Sequence, residues 1–246
     1  MAEHNPELEG VQEESIPVSL SPTKRDLWME AAVVLGVGVL PYWAHAILPF
    51  VWPEHQHALP SAYDSLLRLV TAFSAVAPAS YFIWKNSDAW TDYGLSRPRW
   101  TDLLSGLGVF FAGKVVWILA EATLNRANAW GLLVEVRLLP IPQPFGPVEV
   151  GLALAWCVAN GFSEEVVMRA YLLTRLERLL GSTTWALIVT TILFAGYHAY
   201  QGGAGVVFAV VFGLVYGGIF CWSRRIWPLV IAHAIADFEF MSPGRG

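Results

Sequence analysis

The chain has 246 residues, of which 55% are hydrophobic and only 14% charged, with a formal net charge of −5. An ordinary soluble domain carries about 25% charged residues, and a mean hydropathy of +0.49 excludes that class. Sparse basic residues that form no stripe exclude a nucleic-acid-binding surface.

Residues 1–22 hold Glu3, Glu7, Glu9, Glu13 and Glu14 together with Pro6, Pro17 and Pro22. This composition predicts a disordered acidic tail, and no basic start followed by an apolar run marks a signal peptide. Residues 23–246 read as a membrane-embedded helical domain. A bilayer span needs roughly 20 apolar residues, and the sequence supplies about seven such segments. The expected fold class is therefore all-α, a polytopic transmembrane helical bundle.

The first segment runs from about Leu27 to Val51 and is kinked by Pro41 or Pro49. A short link with His55 and His57 follows. These two and His45 read as interfacial histidines. The second segment runs from Ser65 to Trp84 and the third from Leu103 to Leu124, with Lys114 near its middle and Glu121 beyond. Lys114 has three open readings: it snorkels, pairs with Glu121, or lines a cavity. Pro140, Pro142, Pro144 and Pro147 break the long connection after it, where Trp130 to Leu139 reads as an interfacial run. The fourth segment, Glu149 to Leu180, exceeds the bilayer thickness, so Arg175, Glu177 and Arg178 are expected along the membrane surface. The last three segments run from Thr183 to Tyr200, Val206 to Trp222 and Ile226 to Met241. Cys157 and Cys221 fall inside these helices and read as small buried hydrophobes.

Basic residues flank alternate connections: Lys24 and Arg25, then Lys85, Arg97 and Arg99, then Arg175 and Arg178, then Arg224 and Arg225. Positive residues favour the cytoplasmic side. Seven spans with the N-terminus inside would put all four groups on that side.

Charge at membrane depth is costly and needs a reason. The fourth segment carries Ser163, Glu164, Glu165 and Arg169, the fifth ends Phe194-Ala195-Gly196-Tyr197-His198, and the seventh carries His233 and Asp237. Glu165 and Arg169 share a helix face and can pair. Glu164 is rotated about 100° away by the helix repeat. His233 and Asp237 also share a face. Gly161 and Gly196 thin two of the helices and permit close approach. A pocket between these helices would gather Glu164, His198, His233 and Asp237. The plainer readings are an interhelical polar contact for Glu164, an interfacial position for His198, and a helix-stabilising hydrogen bond for His233 with Asp237.

The pattern Glu164-Glu165-Val166-Val167-Met168-Arg169, then Phe194-x-x-x-His198, then His233-x-x-x-Asp237, resembles the three motifs of the CAAX protease and bacteriocin-processing family. That family includes the type II CAAX prenyl endopeptidases. The stretch Tyr93-Gly94-Leu95 through Trp100-Thr101-Asp102-Leu103-Leu104 is similar to bacterial members, and the resemblance covers about residues 90–240. It implies an intramembrane endopeptidase in which Glu164 activates water with help from His198. His233 and Asp237 would stabilise the oxyanion, Glu165 and Arg169 would form a structural pair, and Phe194 would support the site. The prenyl-protein branch has asparagine where this chain has Asp237. The resemblance also implies a bacterial or archaeal cell membrane, and a substrate that is a membrane protein, a prenylated peptide or a peptide precursor.

No cofactor is required by this scheme. Zinc held by Glu164, His198, His233 and Asp237 is the metal alternative, although H-E-x-x-H is absent. Two non-enzymatic readings remain beside the peptidase: a membrane scaffold or immunity protein that only binds a peptide, and a proton-relaying transporter. Transporters often show repeated halves, and no repeat is visible here.

Overall fold

The computed structural model describes residues 22–51, 61–129 and 146–241. Most of the acidic tail, His55 and His57, and the run from Trp130 to Leu139 lie outside the described residues. Within them all regular structure is helical: α1 (Lys24–Gly38), α2 (Leu40–Val51), α3 (Ser61–Lys85), α4 (Trp100–Ala129), α5 (Pro147–Glu165), α6 (Thr174–Leu180), α7 (Thr183–Gly196), α8 (Gly202–Ser223) and α9 (Trp227–Phe240). A π-helical stretch, Val166–Leu173, joins α5 to α6 without a break.

Local chemistry sets the ends. Thr23 caps α1 and exchanges hydrogen bonds with Asp26, two N-terminal donors being satisfied reciprocally. Gly181 ends α6 with a positive φ of 66°, a conformation that suits glycine at a helix C-terminus. The bend of 41° between α1 and α2 falls at Val39. Pro41 explains its place, because its ring clashes with a carbonyl one turn earlier.

α9 packs between α4 and α5, while α5 also packs on α3 and α7 packs on α8. The outer faces stay apolar: Phe73, Trp84, Phe111, Ile192 and Trp222 are all exposed. A bundle that shows large apolar side chains outward is matched to lipid rather than water, and the chain is an integral membrane protein. Among the described residues three helices are long and apolar enough to cross a bilayer, Trp100–Thr123, Pro147–Leu180 and Gly205–Ser223, with a fourth if the bent pair α1 and α2 counts as one span. The expected number of about seven is not reached by helix length. α7 and α9 have 14 residues each. At 1.5 Å per residue that is about 21 Å, short of the roughly 30 Å hydrocarbon core.

The four basic groups do gather at one end. Glu30 of α1 accepts from Lys85 Nζ at 3.3 Å and Asn86 Nδ2 at 2.8 Å, and pairs with Arg175 at 3.4 Å. Arg175 and Arg178 both reach Asp88. Arg224 clamps Glu177 at 2.7 Å, and Arg225 clamps Asp102 at 2.6 Å. Arg175 is only 1% exposed, so its expected place on the membrane surface is corrected. Its guanidinium finds Glu30 and Asp88 inside the bundle and stacks near Tyr171 and Tyr93. Tyr93 donates to Asp88 at 2.6 Å, and burial pushes its phenol well above the usual range.

Candidate active site

Glu164 and Glu165 end α5, where the helix widens into the π stretch. Such widened turns occur mostly as local features and often at functional sites. Arg169 lies on that stretch and still meets Glu165, Nη1 to Oε1, at 3.1 Å. Its guanidinium also lies 4.4 Å from the centre of the Phe194 ring.

α9 approaches this region because Gly161 lets it. A Cβ at Gly161 would meet Ala234 N at 3.1 Å, His233 Cβ at 3.2 Å and Val230 O at 3.2 Å. Close backbones bring His233 between the two glutamates. Nδ1 sits 2.8 Å from Glu165 Oε1, and Nε2 sits 3.6 Å from Glu164 Oε2 and 3.7 Å from Asp237 Oδ1. A carboxylate can only accept, so Nδ1 carries the hydrogen and Nε2 faces Glu164 and Asp237. Two expectations are extended here. Glu165 pairs with Arg169 as expected, but it also orients His233. Asp237 keeps Oδ1 within 3.7 Å of His233 Nε2 and with Oδ2 also accepts from Asn160 Nδ2 at 2.9 Å.

His198 follows α7. Its Nδ1 lies 2.9 Å from the carbonyl of Phe194, which can only accept, so Nδ1–H donates and Nε2 keeps a lone pair. Phe194 is buried between the two histidines, with centroid distances of 4.6 Å to His198 and 6.4 Å to His233. Gly196 has no room for a side chain because the Trp43 indole of α2 occupies that space. Trp43 Nε1 in turn donates to Leu193 O at 3.0 Å. The predicted thinning of this helix is thus used by α2.

Glu164 borders a small cavity with Tyr42, Gly38, Met168 and Tyr197. Its Oε2 and the Tyr197 hydroxyl are buried without a hydrogen-bond partner among the described residues. Buried polar atoms are almost always satisfied, so this carboxylate is suited to meet a water or a substrate. Phe212 and Tyr216 of α8 close the other flank, with Phe212 stacked edge-on to His233 at 4.7 Å. Lys114 resolves as a partner of Glu239 at 2.5 Å rather than of Glu121.

Of the residues named for zinc, Glu164 and Asp237 lie 3.6 and 3.7 Å from His233 Nε2. Among the described residues no group of three His, Cys, Asp or Glu has the arrangement of a metal site. His233 Nδ1 meets Glu165 and His198 Nδ1 meets a carbonyl, so each Nε2 faces the site. Asn160, Tyr197, Phe212 and the second role of Glu165 were not singled out from sequence. Asn160 had a signal: it lies four residues before Glu164 and so shares its face.

These features define a helical membrane protein with a buried cluster of carboxylates and histidines beneath the ends of two helices. Residues 146–238, which contain every site residue from Asn160 to Asp237, match the family described as type II CAAX prenyl endopeptidase Rce1-like. Over this stretch the chain is similar to that family, and the match spans the three motifs. Neither a curated protein nor a solved structure gave a match.

Proposed function

We propose that the chain is an intramembrane endopeptidase of the glutamate type, in which Glu164 is the general base. The observation that carries this reading is the division of labour around His233. Glu165 Oε1 meets both Arg169 and His233 Nδ1, whereas Glu164 faces Nε2 at 3.6 Å and alone of the two borders the cavity lined by Tyr42 and Tyr197.

The chemistry follows from positions. Glu164 takes a proton from a water that His198 Nε2 helps to hold, and the water oxygen bonds to the scissile carbonyl carbon. Negative charge develops on the carbonyl oxygen. His233 in its doubly protonated form donates Nε2–H to it. Collapse breaks the C–N bond, and Glu164 returns the proton to the leaving nitrogen. Exclusion of bulk water by Phe194, Phe212 and Tyr197 strengthens each of these interactions. The substrate is a membrane-associated peptide or protein, and a prenylated peptide is the first to test. The site lies in a bacterial or archaeal cell membrane in this reading.

The test uses protein reconstituted in phosphatidylcholine liposomes and an internally quenched prenylated CAAX peptide. Wild-type protein should release fluorescence, and Glu164→Gln should release none while reaching normal abundance. Undiminished cleavage by Glu164→Gln would remove Glu164 as the base, and no cleavage by the wild-type protein would return the chain to a scaffold, immunity or transport role.

A further inference from the structure

Asn160 sits one helical turn before Glu164 on α5, and residues four apart share a helix face. Asp237 sits one turn after His233 on α9. Where the helices cross beside Gly161, the four side chains form two rungs. One rung is Glu164 to His233 Nε2 at 3.6 Å, and the other is Asn160 Nδ2 to Asp237 Oδ2 at 2.9 Å. Asn160 and Glu164 are each 8% exposed, and both face α9 through these two contacts.

The second rung has a chemical asymmetry. An ionised carboxylate has no hydrogen to give, whereas an amide nitrogen has two. One hydrogen of Asn160 is taken by Asp237, which fixes the amide plane. The other is left to donate elsewhere. Peptide hydrolysis needs donors fixed in advance where the oxyanion forms. On the peptidase reading given above, Asp237 cannot be one of them in its ionised form.

We propose that Asn160 is the second oxyanion donor beside His233, and that Asp237 is the positioning carboxylate that aims its amide. The pair acts as one amide–carboxylate unit split across two helices.

A split unit can be exchanged between its helices, which makes the test specific. The same liposome assay with the quenched prenylated CAAX peptide reads kcat and KM for five variants. Asn160→Ala should lower kcat about 100-fold and change KM little, the usual cost of one oxyanion donor. Asp237→Asn should keep about a tenth of kcat, because the new amide donates directly. In that background Asn160→Ala should cost less than about 5-fold, a non-additivity expected of residues acting together. Asn160→Asp should be as poor as Asn160→Ala. The exchange Asn160→Asp with Asp237→Asn should recover about 10-fold over Asn160→Asp alone.

Equal losses from Asn160→Ala in both backgrounds would overturn the proposal, because residues that act as one unit are not additive, and a loss that follows thermal stability rather than kcat would reduce the pair to a structural contact. An exchange variant no better than Asn160→Asp would overturn it as well. Thermal unfolding in detergent identifies any single variant that fails to fold, and the exchange pair, which keeps the hydrogen bond, then carries the decision. Wild-type protein that releases no fluorescence sinks the peptidase reading itself, and the donor role with it.

Discussion

His233 Nδ1 and Glu165 Oε1 lie 2.8 Å apart, so the glutamate that neutralises Arg169 also sets the angle of the imidazole that faces Glu164. The adjacent glutamates therefore differ in what they hold. Glu165 binds two partners from two helices, and Glu164 meets one of them from the far side.

Substitution should separate them. Glu165→Gln leaves Arg169 buried without its counter-charge, and breaking a buried pair costs about 3–5 kcal/mol. Both abundance and activity should fall. Glu164→Gln should reach near-normal abundance and lose activity alone. Thermal unfolding of the two proteins in one detergent checks this, and equal loss of folded protein in both would remove the division of labour.

The ion pairs at the basic end should be unequal in the same way. Arg175 is 1% exposed and bridges Glu30 and Asp88. Arg175→Ala should destabilise by about 3–5 kcal/mol, because two carboxylates lose a buried partner. Arg178 contacts Asp88 with its side chain 38% exposed, and Arg178→Ala should cost less than about 1 kcal/mol. Comparable losses from both would mean that burial does not rank these contacts.

Topology can be tested at the same end. Ser87 precedes Asp88, which both arginines of α6 reach, and Ser223 precedes Arg224, which clamps Glu177. The positive-inside rule places that end in the cytoplasm. Single cysteines at Ser87 and Ser223 should label from the cytoplasmic side only. Labelling from opposite sides would contradict the gathering of the basic groups.

The three site segments are legible in the sequence because charge inside apolar helices is rare and costly. Glu164, His198 and His233 announce themselves on that ground. The pairing of Glu165 with His233 is not legible, since it depends on how α5 is rotated toward α9 and on the π stretch that follows it. Arg175 misleads for a related reason. A charge near the end of a long apolar segment looks solvated until Glu30 and Asp88, both distant in sequence, are brought to it. Asp237 is legible through its i, i+4 neighbour His233, 3.7 Å away, whereas its hydrogen bond to Asn160 is not, because it depends on how another helix is placed. The span count is not confirmed at α7 and α9, whose 14 residues each fall short of the hydrocarbon core.

Gly161 offers a test of distance at the site. A methyl group there meets backbone atoms of α9 at 3.1–3.2 Å, and backbone cannot swing aside as a side chain can. Gly161→Val should push α9 away and separate His233 from Glu164. A misplacement of about 1 Å can cost about 100-fold in rate, and a loss of that size is expected in the liposome assay. Gly151, also on α5, has open space around it, and Gly151→Ala should leave cleavage unchanged. A Gly161→Val protein that cleaves like wild type would show that the close crossing is not needed for the chemistry.

Metal dependence is the last point that the ligand geometry addresses. A zinc site holds three or four donors around one point. Here His233 Nε2 is 3.6 Å from Glu164 and 3.7 Å from Asp237, while its other nitrogen is bound to Glu165. Donors that share one ion at about 2 Å lie about 3.3 Å apart, so removal of metal, rather than distance, separates the two mechanisms. On the glutamate-base reading, incubation with 1,10-phenanthroline and EDTA should leave cleavage of the quenched peptide unchanged. Purified active protein should contain far less than one zinc per chain by mass spectrometry. Activity lost with the metal and restored by zinc alone would show instead that the carboxylates and His233 rearrange around an ion. Asp237→Asn would then weaken metal binding sharply, since metal affinity depends on anionic ligands, rather than keep part of the rate.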